Sequence, residues 1–98
     1  MSAPTLTETT RVEQSPRTAA RVVEGRALVI VIDDRKLHSL NGVGTRVWEL
    51  AEGGRTLGEI ADALVAEFEV TREVALADAR QFVSELIALG AMRAGAAP

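Results

Sequence analysis

The residues of this chain that could support catalysis or metal binding are few, and they do not combine into a reactive set. His38 is the only histidine and there is no cysteine, whereas zinc takes three or four protein ligands. Asp33 and Asp34 form a carboxylate pair, but they separate two apolar runs, where such residues usually form a turn. We therefore predict no metal site, no cofactor and no catalytic residue.

Two pairs of glycines resemble phosphate-binding loops only in part. Gly42 and Gly44 follow a predicted strand, but Val47 stands where a dinucleotide fingerprint has its later glycine. Gly53 and Gly54 join two predicted helices, and neither pair is followed by Lys-Ser or Lys-Thr. These patterns predict that the protein is not an enzyme.

Composition and charge narrow the function classes further. The 98 residues suffice for one domain with a formal net charge of -3, whereas a nucleic-acid-binding protein usually has a basic face. The acidic segment 56–69 contains no Lys or Arg. The longest apolar run, residues 27–32, is too short to cross a bilayer, and residues 1–10 lack the features of a secretory signal. We expect a cytoplasmic protein that does not bind a membrane.

An N-terminal sheet is predicted by β-branched residues between short polar turns. The strand candidates are residues 19–24, 27–32 and 36–40. Because sequential strands with short links usually lie side by side, the three strands should form an antiparallel meander. The second strand should then be central, and the third should form an edge.

The central strand candidate is apolar on both faces. Leu28 and Ile30 point to one face and Val29 and Val31 to the other, because side chains alternate along a strand. Helices can cover only one of these faces. We expect the N-terminal arm, a second subunit or a bound partner to bury Val29 and Val31 on the second face, at about 1.5–3 kcal/mol per side chain.

Three helices are predicted to follow the sheet. The helix candidates are residues 42–51, 56–69 and 72–89. Asn41 and Thr71 can each accept a backbone N–H of the following first turn, and Thr56 with Glu59 fits a capping box. Gly90 is a suitable residue to end the last helix.

The predicted fold is α+β and winged-helix-like, with an N-terminal three-stranded antiparallel sheet followed by three helices. Residues 1–17 are polar and contain two prolines, so we predict a flexible or extended arm. Residues 18–92 are predicted to form the domain, and residues 93–98 to form a frayed tail.

A string of motifs runs from Leu40 to Met92. It reads L-N-G-V-G-T-R-V-W-E-L, G-G-R-T-L-G-E-I-A-D-A-L, F-E-V-T-R-E-V-A and D-A-R-Q-F-V-S-E-L-I-A-L-G-A-M. In this order the motifs resemble the PqqD-like family, whose module is the precursor-peptide recognition element of many ribosomal peptide natural product pathways. The chain differs from many relatives at His38, where an aromatic residue is common.

The resemblance implies a non-catalytic chaperone that holds the leader of a ribosomally made precursor peptide. It also implies a partner enzyme to which the leader is presented, which in relatives is a radical SAM protein or a leader peptidase. The alternative is a winged-helix DNA-binding regulator, against which the net charge argues. A subunit with a purely structural role in a complex is a third interpretation. A homodimer is a separate expectation, which comes from the second apolar face of the central strand.

The predicted peptide site combines the edge strand with the last helix. An edge strand can take up an extended peptide by β-addition, and a surplus apolar stripe on the helix could form the wall of a groove. The predicted peptide-binding residues are Arg35, Lys36, Leu37, His38, Ser39, Leu40, Leu76, Arg80, Val83 and Ile87. Arg35, Lys36 and Arg80 could pair with acidic residues of the peptide. Core packing is the alternative role for the apolar helix residues.

Overall fold

The computed structural model of the chain describes residues 6–95, which form six β-strands and three α-helices. The strands are β1 (Arg11–Gln14), β2 (Thr18–Val23), β3 (Arg26–Val31), β4 (Lys36–Ser39), β5 (Arg55–Thr56) and β6 (Met92–Ala94). The helices are α1 (Gly42–Leu50), α2 (Leu57–Glu67) and α3 (Arg72–Ala88). The predicted α+β fold, with a three-stranded antiparallel meander before three helices, is confirmed.

The strands β2, β3 and β4 form one antiparallel sheet, the meander sheet, with β3 in the centre. Its first hairpin turns through Glu24 and Gly25, which have φ values of 51° and 77°. Positive φ at both central residues is what a two-residue type I′ turn requires. The second hairpin places Leu37 opposite Ile30. Within the described residues β4 pairs only with β3, so it lies at an edge of the sheet, as the short links predict.

A second sheet places β1 between β5 and β6. Val12 of β1 is fully buried, and Leu6, which precedes the strand, is also buried in the core. Arg93 of β6 donates from Nε to Glu13 Oε1 of β1 at 2.6 Å. The second sheet therefore joins the first and last strands of the described chain to β5, which directly precedes α2.

The second sheet includes residues outside the predicted domain limits of 18 and 92. Residues 11–14 form a central strand where the composition predicts a flexible or extended arm, and residues 93 and 94 belong to a strand where it predicts fraying. Strands of two to four residues have too few positions for a recognisable hydrophobic alternation. Residues 1–5 and 96–98 of the predicted arm and tail lie outside the described residues.

The helices begin at the predicted caps. The side chains of Asn41 and Thr71 each accept a backbone N–H of the first turn, at 2.8 Å and 3.2 Å. Thr56 N donates to Glu59 Oε1 at 2.8 Å, and Glu59 N donates back to Thr56 Oγ1 at 3.1 Å. The bond from the Thr56 backbone N–H lowers the pKa of the Glu59 carboxyl from its ordinary value. The capping box thus starts α2 at the predicted position.

The core lies between the helices and the inner face of the meander sheet. Val29 and Val31 are buried there. The largest fully buried helix side chains are Val47, Leu57, Ile60, Leu64, Val83 and Leu86. The expectation that Val29 and Val31 lie on the face away from the helices is wrong, and Leu28 and Ile30 take that position. The alternation of β3 separates the two faces but does not indicate which of them the helices cover.

Thr45 is the one buried polar side chain of the described part of the chain, and it joins α1 to the meander sheet. Its hydroxyl accepts a hydrogen bond from Ala27 N at 2.8 Å and donates one to Leu40 O at 3.2 Å. Leu40 N donates to Ala27 O at 2.9 Å. The Thr45 hydroxyl therefore bridges the last rung of the β3–β4 ladder and fixes the end of β4 against α1.

Candidate functional site

The backbone of β4 alternates between β3 and an open edge. Leu40 N donates to Ala27 O, and in an antiparallel ladder only every second pair of opposite residues exchanges hydrogen bonds. The N–H and C=O groups of Leu37 and Ser39 therefore point away from β3. Within residues 6–95, no strand pairs with this edge. Four backbone groups are thus available to an added strand.

A cleft of about 510 Å³ lies between β4 and α3. Its lining residues are Arg26, Leu37, His38, Ser39, Leu40, Asn41, Phe82, Glu85, Leu86 and Leu89. The α3 wall is mostly apolar, and Glu85 is the only carboxylate in the lining. An open strand edge beside an apolar helix can hold an extended peptide, because the backbone bonds one side of it and the wall contacts its side chains.

Phe82 reaches its place in the cleft wall because Gly44 has no side chain. An ideal Cβ on Gly44 would lie 2.7 Å from Phe82 Cε1 and 3.1 Å from Phe82 Cδ1. The ring therefore packs directly on the backbone of α1. This close approach explains a glycine inside a helix, where glycine costs about 1 kcal/mol relative to alanine.

We expect Gly44→Ala to lower the free energy of unfolding by on the order of 1 kcal/mol, because the new methyl group must displace the Phe82 ring. Gly42→Ala, in the same helix, should instead raise the stability by up to about 1 kcal/mol, since nothing lies within 4 Å of its added Cβ. Urea unfolding of the two variants measures both changes. The same effect from both substitutions would contradict the packing of Phe82 on Gly44.

The predicted strand residues lie at the cleft or next to it. Residues 37–40 line the cleft. Lys36 begins β4, and Arg35 occupies the preceding turn at a φ of 56°. Lys36 and Arg35 are both exposed. The edge strand predicted from the chain order is therefore the strand that forms the cleft.

The predicted α3 residues do not line the cleft. Val83 is fully buried, Leu76 and Ile87 are partly buried against the core, and Arg80 is exposed. At roughly 100° per residue, Leu76, Arg80 and Ile87 lie on one flank of the buried stripe, and Phe82, Glu85 and Leu89 lie on the other. Leu86, which also lines the cleft, belongs to the buried stripe itself.

The α3 residues of the cleft that the sequence pattern did not identify are Phe82, Glu85, Leu86 and Leu89. The three apolar ones recur at helical spacing, so the pattern does contain them. In the sequence, Phe82 and Leu86 share one apolar stripe with Ala75 and Ala79. The predicted site uses the neighbouring stripe of Leu76, Val83 and Ile87 instead. The spacing alone does not show which flank of the helix approaches β4.

In the carboxylate pair of the β3–β4 turn, Asp33 forms an ion pair with Arg17. Arg17 Nη2 donates to Asp33 Oδ1 at 2.6 Å, and this hydrogen bond lowers the pKa of the Asp33 carboxyl from its ordinary value. A general acid needs the opposite shift. His38 lines the cleft, and residues 6–95 contain no group of three or more His, Cys, Asp or Glu side chains that could hold a metal ion.

Comparisons with known proteins agree with this geometry. The family described as coenzyme PQQ synthesis protein D (PqqD) matches residues 27–91, which include every residue that lines the cleft except Arg26. The fold is similar to the solved structure of TbiB1 in complex with the TbiA(beta) leader peptide, with a TM-score of 0.79 and 27% sequence identity. That match covers 88% of this chain and 99% of the other. No curated protein matches the sequence.

Among the described residues, none of the three helices combines the length and the apolar character that crossing a bilayer requires.

Proposed function

This chain belongs to the PqqD family, and we propose that its β4–α3 cleft holds the leader of a ribosomally made precursor peptide as an added β-strand. The observation that carries the proposal is the open edge of β4 beside an apolar helix wall. The similarity to a protein solved with a leader peptide supports it. The protein then acts by binding alone, without a metal, a cofactor or a catalytic residue of its own.

Backbone hydrogen bonds would position the leader in the cleft. Leu37 and Ser39 each offer one N–H and one C=O to an extended peptide, and each bond contributes about 0.5–1.5 kcal/mol net. Side chains of an added strand alternate between the two faces of a sheet. One set would therefore contact Phe82, Leu86 and Leu89 in the cleft, and the other set would continue the outward face of the meander sheet.

Charges at the cleft favour a leader that carries acidic residues. Arg26 lines the cleft, and Arg35 and Lys36 lie beside it. None of the three forms an ion pair within the described residues. Arg80 lies on the other flank of α3, so in our proposal it does not contact the peptide. Glu85 is the one carboxylate of the cleft lining, where it would accept a hydrogen bond from a donor of the leader.

We propose that the loaded protein presents the precursor to an enzyme such as a radical SAM protein or a leader peptidase, in the cytoplasm. The DNA-binding alternative receives no support from the site. Arg72, at the start of α3, forms ion pairs with Glu8 and Asp62. These carboxylates neutralise the positive charge that would otherwise attract a DNA phosphate. α2 is acidic as a whole.

We expect the leader segment of a short precursor encoded beside this chain to bind it, and Ser39→Pro to weaken that binding by about tenfold, or 1.4 kcal/mol. Proline removes the outward N–H of Ser39, and its ring occupies the space of the added strand. The ladder with β3 keeps its hydrogen bonds, because proline is tolerated where the N–H faces away from the sheet. Fluorescence anisotropy of a labelled leader measures the affinity.

Ala20→Pro is the matched control for this prediction. Ile32 N donates to Arg17 O, so the alternation along β2 directs the Ala20 N–H to the other open edge of the meander sheet. Ala20→Pro should leave leader affinity within about twofold. Equal losses from the two proline variants, or no loss from a folded Ser39→Pro protein, would reject β4 as the binding edge.

A further inference from the structure

The outer face of the meander sheet is apolar and exposed. It is centred on Leu28 and Ile30 of β3, with Ala19 and Arg21 of β2 and Leu37 of β4 beside them in register. Leu37 is 59% exposed and Ile30 is 40% exposed. These residues line a shallow depression of about 440 Å³. Exposed apolar patches of this kind on small proteins commonly mark interaction sites.

The N-terminal segment does not cover this face. Residues 11–14 pair with β5 and β6 in the second sheet, and the described residues before them continue to α2, where Gly58 N donates to Glu8 O. The arm is one of the three covers that the apolar strand predicts. Because the described part of the arm lies elsewhere, a second subunit and a bound partner are the two remaining candidates for covering this face.

The charge of the face argues against a second copy of this chain. Arg21 and Arg26 point outward, and neither forms an ion pair within the described residues. None of the outward-facing strand positions is acidic, although the net charge of the chain is -3. Two such faces brought together would oppose four guanidinium groups without a carboxylate from either set of strands, and like charges in contact are unfavourable.

The outer face is continuous with the proposed leader site. Leu37 lines both the cleft and the depression on the outer face. A leader added to β4 would extend the sheet by one strand and place its alternate side chains next to Leu37. The exposed surface would therefore be wider in the loaded protein than in the empty one.

We propose that the outer face of the meander sheet docks the enzyme that acts on the bound precursor. The complementary surface on that enzyme has an apolar centre and carboxylates at its border, which face Arg21 and Arg26. This inference rests on the proposed function, because the leader supplies part of the docking surface. The enzyme then binds the loaded protein more tightly than the empty one.

The test uses the purified peptide-modifying enzyme or peptidase encoded beside this chain, with full-length protein saturated with leader. Ile30→Glu should weaken enzyme binding at least tenfold in biolayer interferometry, while leader affinity by anisotropy stays within about twofold. Val74→Glu is the matched control, since Val74 is 46% exposed on α3 and outside both surfaces. Omitting the leader should weaken enzyme binding to the unsubstituted protein.

A charge-reversal pair keeps the test decisive if Ile30→Glu fails to fold. The double variant Arg21→Glu with Arg26→Glu, measured at leader concentrations that saturate it because Arg26 also lines the cleft, should lose at least tenfold in enzyme affinity, whereas Arg55→Glu on β5 should not. Salt at about 1 M, where the Debye length is about 3 Å, should weaken binding of the unsubstituted protein and change the double variant less.

Three outcomes would overturn the docking proposal. The first is unchanged enzyme affinity in folded Ile30→Glu or in the double arginine variant. The second is an equal loss in the control variants. The third is a stable dimer of the unsubstituted protein in sedimentation equilibrium that Ile30→Glu dissociates, because a second copy would then occupy the face. Failure of the proposed function is distinct, since the leader would not bind the unsubstituted protein at all.

Discussion

Val12→Asp is expected to remove most of the stability of the domain, by about 4 kcal/mol or more. Val12 is fully buried in β1, the central strand of the second sheet, with β5 on one side and β6 on the other. A carboxylate at this position has no partner within the core, and burial of an unpaired charge is among the most costly single changes. Far-UV circular dichroism during urea unfolding measures the loss.

Thr9→Asp is the control for the Val12 variant. Thr9 is exposed in the turn before β1, so its replacement should change the free energy of unfolding by no more than about 0.5 kcal/mol. A cooperative unfolding transition of Val12→Asp at the same urea concentration as the unsubstituted protein would show that residues 11–14 behave as the arm that the composition predicts, and not as a strand.

Thr45→Val is expected to cost several kcal/mol, although it preserves the shape of the side chain. The substitution leaves Ala27 N–H and Leu40 C=O without the hydroxyl that bridges them. Each buried group left without a partner costs about 1–3 kcal/mol. Because these groups anchor the end of β4, the variant should also bind the leader more weakly where it still folds. Urea unfolding and leader anisotropy measure the two effects.

Thr45→Ser separates the hydrogen bonds of Thr45 from its packing. Serine keeps the hydroxyl and loses one buried methyl group, so the cost should stay near about 1 kcal/mol. If serine and valine destabilised the protein equally, the bridging hydrogen bonds would not be the main contribution of Thr45.

The order of the meander strands and the helices could be predicted because local chemistry determines it. The capping box of Thr56 and Glu59 places the start of α2, and the β-branched run of residues 27–32 defines the central strand. The second sheet could not be predicted, because β5 has two residues and β1 contains one apolar side chain. Its pairs join residues far apart in the chain, such as Val12 with Arg55, which no local pattern encodes.

The candidate site could be predicted on its strand side but not on its helix side. The edge position of β4 follows from short links, which the sequence displays directly. The helix side depends on the rotation of α3, and in this rotation the Phe82 ring packs on Gly44, which has no side chain. A wide apolar arc allows more than one rotation of the helix, so tertiary packing decides between Val83 and Phe82 as the wall of the cleft.

The pairing of β1 with β6 gives the domain adjoining points of entry and exit. The two strands run in opposite directions with Val12 opposite Ala94, so the chain enters its first strand beside the place where it leaves its last one. Domains with adjacent ends tolerate insertion into other proteins as well as fusion at either end. Neither strand belongs to the meander sheet. A host protein joined before β1 and after β6 should therefore leave β4 and α3 unchanged. We therefore expect that insertion of residues 6–95 into a surface loop of a host protein preserves the cleft.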